Sequence, residues 1–146
     1  MNDVPERSVR VRLMSRPGWP PFAEFQLSEA HLIGRIHPAD RGTLGGTVAS
    51  EAAEVAWVLT QMTPEDAREA VANGLPADYE RQVQEFRRSD RPPMGVGELA
   101  EVTRDTGARS VWSCDGVGWS LVERQSAAAA ARQAAAEVER SQEAER

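Results

Sequence analysis

The strongest local signal in the chain is a tight turn between two apolar segments near the C-terminal end. Asp115-Gly116 lies between Val111-Trp112 and the run from Trp119 to Val122. An Asp-Gly pair supports the positive φ angles of a two-residue β-hairpin turn. Asp105-Thr106-Gly107-Ala108 is a second turn signal just upstream. The two turns predict a three-stranded β meander, in which the first segment, Glu98 to Thr103, also fits a short helix.

The N-terminal part has the pattern of strands. Val and Leu alternate with Arg over residues 9–13, which is the period of a strand buried on one face. Phe22 to Leu27 and His31 to Ile36 have the composition of two further short strands. We therefore predict a small N-terminal antiparallel sheet. Ser28-Glu29 leaves a short capped helix open as an alternative.

The middle of the chain carries the pattern of three helices. From Thr47 onward, apolar side chains recur at spacings of four and three, which places them in one stripe along a helix. Thr63-Pro64 and the acids after it suit the start of a second helix. Asn73-Gly74 ends that helix, and Leu75-Pro76 opens a third that ends before Pro92-Pro93.

Residues 125–146 are rich in Ala, Glu and Arg, and Val138 is their one large apolar side chain. Such a segment has high helix propensity and little to bury, so we predict a helical or disordered tail. The chain of 146 residues has room for one core. The predicted fold is α+β, with one domain over residues 1–124 that holds the N-terminal sheet, three central helices and a β meander at residues 91–124.

Composition argues against several classes of function. All 17 basic residues are Arg, so the chain lacks the lysine of a P-loop or of Schiff-base chemistry. The net charge of −6 argues against nucleic acid as the main ligand, and acids separate the one tight cationic cluster, Arg87, Arg88 and Arg91. No stretch approaches the ~20 apolar residues of a membrane span. Met1 to Arg7 lack the apolar run of a signal peptide, so we expect synthesis and folding in the cytoplasm.

Few residues suggest catalysis or metal binding. His31 and His37 would share one face of an extended strand near Asp40, but a further firm ligand is not evident, so we predict no metal site. Cys114 is the single cysteine, and a turn next to Asp115 is the opposite of the positive environment that stabilises a thiolate. We therefore interpret Cys114 as a structural residue and not as a nucleophile with a histidine base.

Two other patterns receive a structural interpretation. Paired carboxylates such as Glu51 and Glu54 occur on predicted polar helix faces, where nothing would separate their pKa values for acid and base work. Gly42, Gly45 and Gly46 precede a helix and could cradle an anion, but without a lysine they are typical of a flexible linker. We predict no catalytic residue, no cofactor and no enzyme activity.

The four tryptophans are the candidate interaction residues. Trp112 and Trp119 lie on adjacent strands of the predicted hairpin, where a large rigid indole either docks on a partner or covers the core of its own domain. Trp57 lies off the apolar stripe of the first predicted helix, and the edge of the core is the favoured interpretation. Trp19 stands beside three prolines as in a polyproline-recognition segment, although packing over its own sheet is favoured.

The C-terminal quarter resembles a module of known proteins. Its elements, in order, are Arg91-Pro92-Pro93, Val96-Gly97-Glu98, Val102 to Gly107, Val111-Trp112 and Asp115-Gly116-Val117-Gly118-Trp119. This order is similar to a short module in tail and other structural proteins of tailed bacteriophages. That module has an Arg-Pro opening, an Asp-Thr turn and a final Asp-Gly-x-x-Trp hairpin.

The resemblance implies a structural or assembly component of a virion, in a tail, fibre or collar or on a capsid. Such a component is made in the host cytoplasm and acts through contacts with other virion proteins and with copies of itself. Two other classes stay open. One is a small bacterial adaptor or regulatory protein that binds another protein through its helical segment, and the other is a ligand-binding module that uses the aromatic hairpin.

Overall fold

The computed structural model describes residues 7–16, 19–116 and 118–125, together with residues 135, 136, 139 and 140. The strands are β1 (Ser8–Met14), β2 (Ala23–Ser28), β3 (Leu99–Thr103), β4 (Arg109–Asp115) and β5 (Gly118–Gln125). The helices are α1 (Glu29–Arg35), α2 (Val48–Gln61), α3 (Pro64–Ala72) and α4 (Ala77–Arg88), with short 3₁₀ helices at Pro38–Asp40 and Leu44–Gly46. The predicted α+β class is confirmed.

The five strands form one antiparallel sheet in the order β2-β1-β3-β4-β5. The N-terminal strands and the C-terminal meander, which the sequence presents as separate units, join where β1 pairs with β3. Arg12 faces Glu24 on one side and Glu101 on the other. The segment that also fitted a short helix is therefore the central strand, β3, of a continuous sheet.

The segment from His31 to Ile36 is a helix, so the strand prediction for it is wrong. Ser28 caps α1, because its Oγ accepts a hydrogen bond of 3.2 Å from the backbone N–H of His31. Glu29 lies in the first turn, where a carboxylate is favoured by the helix dipole. The alternative reading of Ser28-Glu29 as a helix start is correct, since a short apolar run does not by itself distinguish strand from helix.

The core lies between one face of the sheet and α2. Val9, Val11 and Leu13 point from β1 toward the helices and are fully buried. On α2 the residues that share this core are Ala52, Ala53, Val55, Ala56 and Leu59. Small alanines let the helix lie close to the sheet.

Two threonine caps set the helix starts. Thr47 begins α2 in a capping box with Ser50, and Thr63 begins α3 in a capping box with Asp66. The cap predicted for Thr63 is confirmed. Backbone and side-chain hydrogen bonds from Thr63 lower the pKa of Asp66, so this carboxylate stays ionised well into the acidic range.

The free edge of β2 is closed by side chains of α4. The Gln82 amide accepts a hydrogen bond of 2.8 Å from the N–H of Gln26 and donates one of 2.7 Å to its carbonyl. The Tyr79 hydroxyl accepts from the N–H of Ser28 at 2.8 Å. The amide of Gln82 thus replaces a neighbouring strand, which protects this edge from pairing with another chain. The other edge strand is β5.

The outer face of the sheet carries alternating charges. Glu101 of β3 lies between Arg12 of β1, at 3.8 Å, and Arg109 of β4, at 3.2 Å. Glu24 and Glu123 extend this row toward both edges. The arginines are about a third exposed, so each pair adds little to stability, but opposite charges on facing strands favour the observed register.

Only part of the predicted tail can be compared with the structure. Gln125 ends β5, and residues 135, 136, 139 and 140 are helical. The other residues of the predicted tail lie outside the described part of the chain. Within that part, the helices are all too short or too polar to cross a lipid bilayer.

Candidate protein-binding site

The predicted β4–β5 hairpin is present and its tryptophans differ in environment. Cys114 pairs with Trp119 and Trp112 pairs with Leu121, so both indoles lie on the face of the sheet that meets α2. A bulge beside Trp112 shifts the register of the two strands. The difference between the two indoles therefore depends on what covers each end of the hairpin.

Trp112 belongs to the core. Its side chain is 2% exposed, and its Nε1–H donates a hydrogen bond of 2.8 Å to the hydroxyl of Ser110. The interaction role predicted for Trp112 is wrong, because the indole has almost no surface left for a partner. The alternative, that it covers the core of its own domain, is correct.

Trp119 is half-buried at the edge of the core and is held by α2. Its Nε1–H donates a hydrogen bond of 2.8 Å to Oε2 of Glu54. Trp57 lies one helical turn after Glu54 and is also half-buried against the core. The favoured reading of Trp57 as the edge of the core agrees with this position. The two indoles nevertheless also face a common open space.

This space is a cavity of about 350 Å³, here called the Trp57–Trp119 pocket. Its lining residues are Glu54, Trp57, Val96, Cys114, Asp115, Gly116, Gly118 and Trp119. The hairpin turn forms one wall, α2 forms another, and the loop before β3 forms the rim. Three segments that are distant in sequence thus build the site.

The loop before β3 is fastened to the end of β4. The N–H of Gly97 donates to the carbonyl of Cys114 at 2.7 Å, and the N–H of Cys114 donates to the carbonyl of Glu98 at 2.9 Å. Gly97 has a φ of 89°, a value that glycine adopts without strain. This turn places Val96 at the rim of the pocket with 73% of its surface exposed.

The pocket is electronegative. Glu54 and Asp115 are lining residues, and the carboxylates of Asp115, Glu54 and Glu98 are all close enough to act on the thiol of Cys114, which also lines the pocket. None of these three acids forms an ion pair with another described residue. The lining contains no arginine. Indole faces and unpaired carboxylates are therefore the chemistry that this site offers.

Cys114 lies at the bottom of this pocket as a protonated thiol. Burial is the main cause that raises the pKa of the Cys114 thiol above its ordinary value. The carboxylates of Asp115, Glu54 and Glu98 raise the pKa further. The thiolate that a nucleophile or a metal ligand needs is disfavoured, which agrees with the structural interpretation of Cys114.

Alkylation kinetics test this description of the thiol. At about pH 8, Cys114 in the folded chain is expected to react with iodoacetamide at least about tenfold more slowly than a free cysteine peptide, because less thiolate is present and access is limited. The same chain unfolded in urea is the control and should react at the peptide rate. An equally fast reaction of the folded chain would mean that the pocket stabilises a thiolate.

Trp19 lies away from the Trp57–Trp119 pocket. Its ring is 51% exposed and lies under the guanidinium of Arg16, which is 4.4 Å from the ring centroid. Trp19 is therefore not sealed in the core. The contact shows that a cation-π pair already occurs in this chain.

The two histidines lie on different elements, so the prediction that they share a strand face is wrong. His31 is in α1, where its ring meets the ring of Tyr79 edge-on at 5.3 Å. His37 caps a 3₁₀ helix, with its Nδ1 accepting from the N–H of Ala39 at 3.1 Å. Burial and the charge of Arg35 lower the pKa of His31. Among the residues that the structure describes, no three potential ligands cluster to hold a metal ion.

The carboxylate and glycine patterns also differ from expectation. Glu51 pairs with Arg35 at 3.0 Å on the surface, whereas Glu54 lies in the pocket. Gly46 is buried, and a Cβ there would overlap the carbonyl of Asp40. The flexible-linker interpretation is wrong for Gly46, because close backbone packing requires a glycine at that position.

A second cavity of about 370 Å³ lies between the edge of β2 and α4. Its lining contains charges of both signs, Arg12 and Arg91 with Glu24 and Glu85. These charges balance within the cavity, so it shows no preference for a charged ligand. The Trp57–Trp119 pocket has no such balance.

Trp57 and Trp119 were predicted from the sequence as interaction residues. Glu54 was interpreted only as a carboxylate on a polar helix face, Val96 received no site role, and the meeting of these residues in one site was not predicted. A local signal existed for one pair only, because Glu54 and Trp57 are three residues apart on a predicted helix and must share a face. The arrangement provides apolar surface, hydrogen-bond acceptors and negative charge, which suits binding. The family models, curated proteins and solved structures with which the chain was compared gave no match.

Proposed function

We propose that this protein is a structural component of a tailed bacteriophage particle and acts through contacts with other virion proteins. The observation that supports this role best is the Trp57–Trp119 pocket. It leaves the final tryptophan of the Asp-Gly-x-x-Trp hairpin half-exposed in an open, acidic cavity. The resemblance of residues 91–119 to the phage module suggests that the assembly is a virion.

The hairpin is a rigid platform for such contacts. Its strands belong to the five-stranded sheet, and the indole of Trp119 is oriented by its hydrogen bond to Glu54. A side chain that is already oriented loses little conformational entropy when a partner docks on it. Tryptophan is also enriched among the residues that dominate binding energy at interfaces.

An adaptor that binds through its helices is the alternative. Among the described residues, the exposed large apolar side chains are Trp19, Ile33, Leu44, Val96 and Val122, and none lies on α2, α3 or α4. The outer surfaces of α3 and α4 instead carry ion pairs such as Arg68–Glu80 and Arg81–Glu85. The hairpin side of the molecule therefore offers the better protein-binding surface.

Composition of purified particles tests the proposed function. Particles induced from a culture that carries the gene, purified through a density gradient and measured by quantitative mass spectrometry, are expected to contain the chain at a fixed ratio to the major structural proteins. Antibody labelling in electron micrographs should place it at one position on the particle. Recovery of the chain only outside particles, bound to a single host protein, would instead support the adaptor and overturn the virion role.

A further inference from the structure

We propose that the Trp57–Trp119 pocket binds a cationic side chain, arginine or lysine, that a partner protein inserts. The inference deepens the proposed function by naming the chemistry of the partner. It rests on that function only for the statement that the partner is a virion protein. The binding chemistry itself depends on the residues of the pocket.

Each of the three carboxylates around the pocket accepts a hydrogen bond from the described residues with only one of its two oxygens. Oε2 of Glu54 accepts from the indole of Trp119, Oε1 of Glu98 accepts from the N–H of Gly95, and Oδ2 of Asp115 accepts from the hydroxyl of Ser120. In each pair of oxygens, the other atom has no hydrogen bond to a described residue. Glu54 therefore keeps acceptor capacity for a donor that enters the pocket. Asp115, whose carboxylate is held by Ser120 on the opposite face of the sheet, and Glu98 add negative charge nearby.

These acids differ from most others in the described chain. Glu24, Glu51, Glu80, Glu101 and Glu123 each pair with an arginine of the same molecule. Glu54, Glu98 and Asp115 do not, although the chain has 17 arginines and no lysine. These unpaired acids lie beside two indoles, and a positive charge is the complement that a partner would supply there.

The indoles favour the same occupant. A guanidinium or ammonium group is attracted to the face of a tryptophan ring, and the aliphatic stem that carries it packs on apolar surface such as Val96. The cavity of about 350 Å³ has room for such a head group with part of its stem. The pairing of Arg16 with Trp19 shows the same contact within this chain.

Other occupants fit less well. A phosphate or nucleic-acid strand would meet the repulsion of Glu54 and Asp115. A purely apolar side chain would remove water from these carboxylates without offering them a donor. A cation satisfies the carboxylates and the indoles together.

Peptide binding tests the proposal. The probe is a blocked Gly-Gly-Arg-Gly-Gly peptide, and its control replaces arginine by citrulline, which has the same shape without the charge. Indole N–H resonances and tryptophan fluorescence of the full chain report binding. We expect weak but saturable binding of the arginine peptide, and affinity for the citrulline peptide at least about tenfold lower.

A double variant locates the site. Glu54→Gln with Asp115→Asn removes two charges and keeps a side-chain oxygen that accepts from Trp119. This variant should bind the arginine peptide with about tenfold lower affinity. The matched control, Glu65→Gln with Glu69→Gln, removes two exposed charges from α3 and should change little. Equal binding of the two peptides by the unaltered chain would overturn the proposal, and this comparison needs no variant to fold.

Two further outcomes separate this proposal from the proposed function. Charge-dependent peptide binding by a chain that is absent from purified particles would overturn the virion role alone. A chain present in particles that shows no preference for arginine would overturn the pocket assignment alone. Sedimentation velocity tests whether the chain also self-associates. If the double variant abolishes such an association, the statement that the partner is a different protein is overturned, and the pocket binds a second copy of the chain.

Discussion

Replacing Trp112 by Ala is expected to lower the free energy of unfolding by about 3–5 kcal/mol, since truncation of a buried tryptophan removes its transfer free energy and leaves a cavity. The indole is 2% exposed and packs in the core between sheet and helices. The variant also leaves the buried hydroxyl of Ser110 without its indole donor. Urea unfolding measures the change, and the midpoint of thermal unfolding should fall by about 10 °C or more.

Two other tryptophans serve as controls for that variant. Trp19→Ala removes a side chain that is 51% exposed and should change the free energy of unfolding by less than about 0.5 kcal/mol. Trp119→Ala should have an intermediate effect, because the indole is half-buried. If Trp112→Ala instead unfolded at the temperature of the unaltered chain and lost only partner binding, the core assignment of Trp112 would be wrong.

Replacing Thr60 by Val is expected to lower the free energy of unfolding by about 1–3 kcal/mol, the cost of a buried donor left without a partner. Thr60 is fully buried, and its hydroxyl accepts from the N–H of Met94 at 3.1 Å and donates to the carbonyl of Trp57 at 2.8 Å. Valine has nearly the same shape, so the effect isolates the hydroxyl. Urea unfolding measures it directly.

The same variant should loosen one wall of the Trp57–Trp119 pocket. Met94 begins the loop that carries Val96, and Gln61 holds its carbonyl at 3.2 Å. Hydrogen exchange in residues 94–98 is therefore expected to be faster in Thr60→Val, whereas Thr60→Ser keeps the hydroxyl and should exchange more slowly than the valine variant. Unchanged exchange in both variants would show that the bond between Gly97 and Cys114 suffices to hold the loop.

The elements that sequence reasoning predicted correctly depend on neighbours along the chain. The alternation over residues 9–13, the β4–β5 hairpin and the Thr63 cap each act within a few residues, and each appears as expected. The hairpin turn itself lies one residue later than predicted, because Asp115 pairs with Gly118 and has no positive φ angle. His31 to Ile36 failed because its apolar run satisfies both strand and helix, and the cap at Ser28 decided between them.

The candidate site depends on contacts that no local pattern encodes. Trp119 and Glu54 are 65 residues apart, and only the packing of α2 across the sheet brings them within hydrogen-bond distance. Trp112 and Trp119 lie in similar local sequences on one hairpin. The helix covers the first indole and leaves the second at its margin, so their different roles follow from tertiary packing.

By itself the sequence determined the α+β class, the hairpin, two of the helix starts and the lack of lysine, because these depend on residue type and short-range spacing. Only the tertiary structure decided that β1 pairs with β3, that Trp112 is core, and that Glu54, Trp57 and Trp119 share one acidic pocket. Contacts between residues that are distant in sequence form when the faces of sheet and helix pack closely against one another. That fit depends on all the elements together, so no single segment of the sequence encodes it.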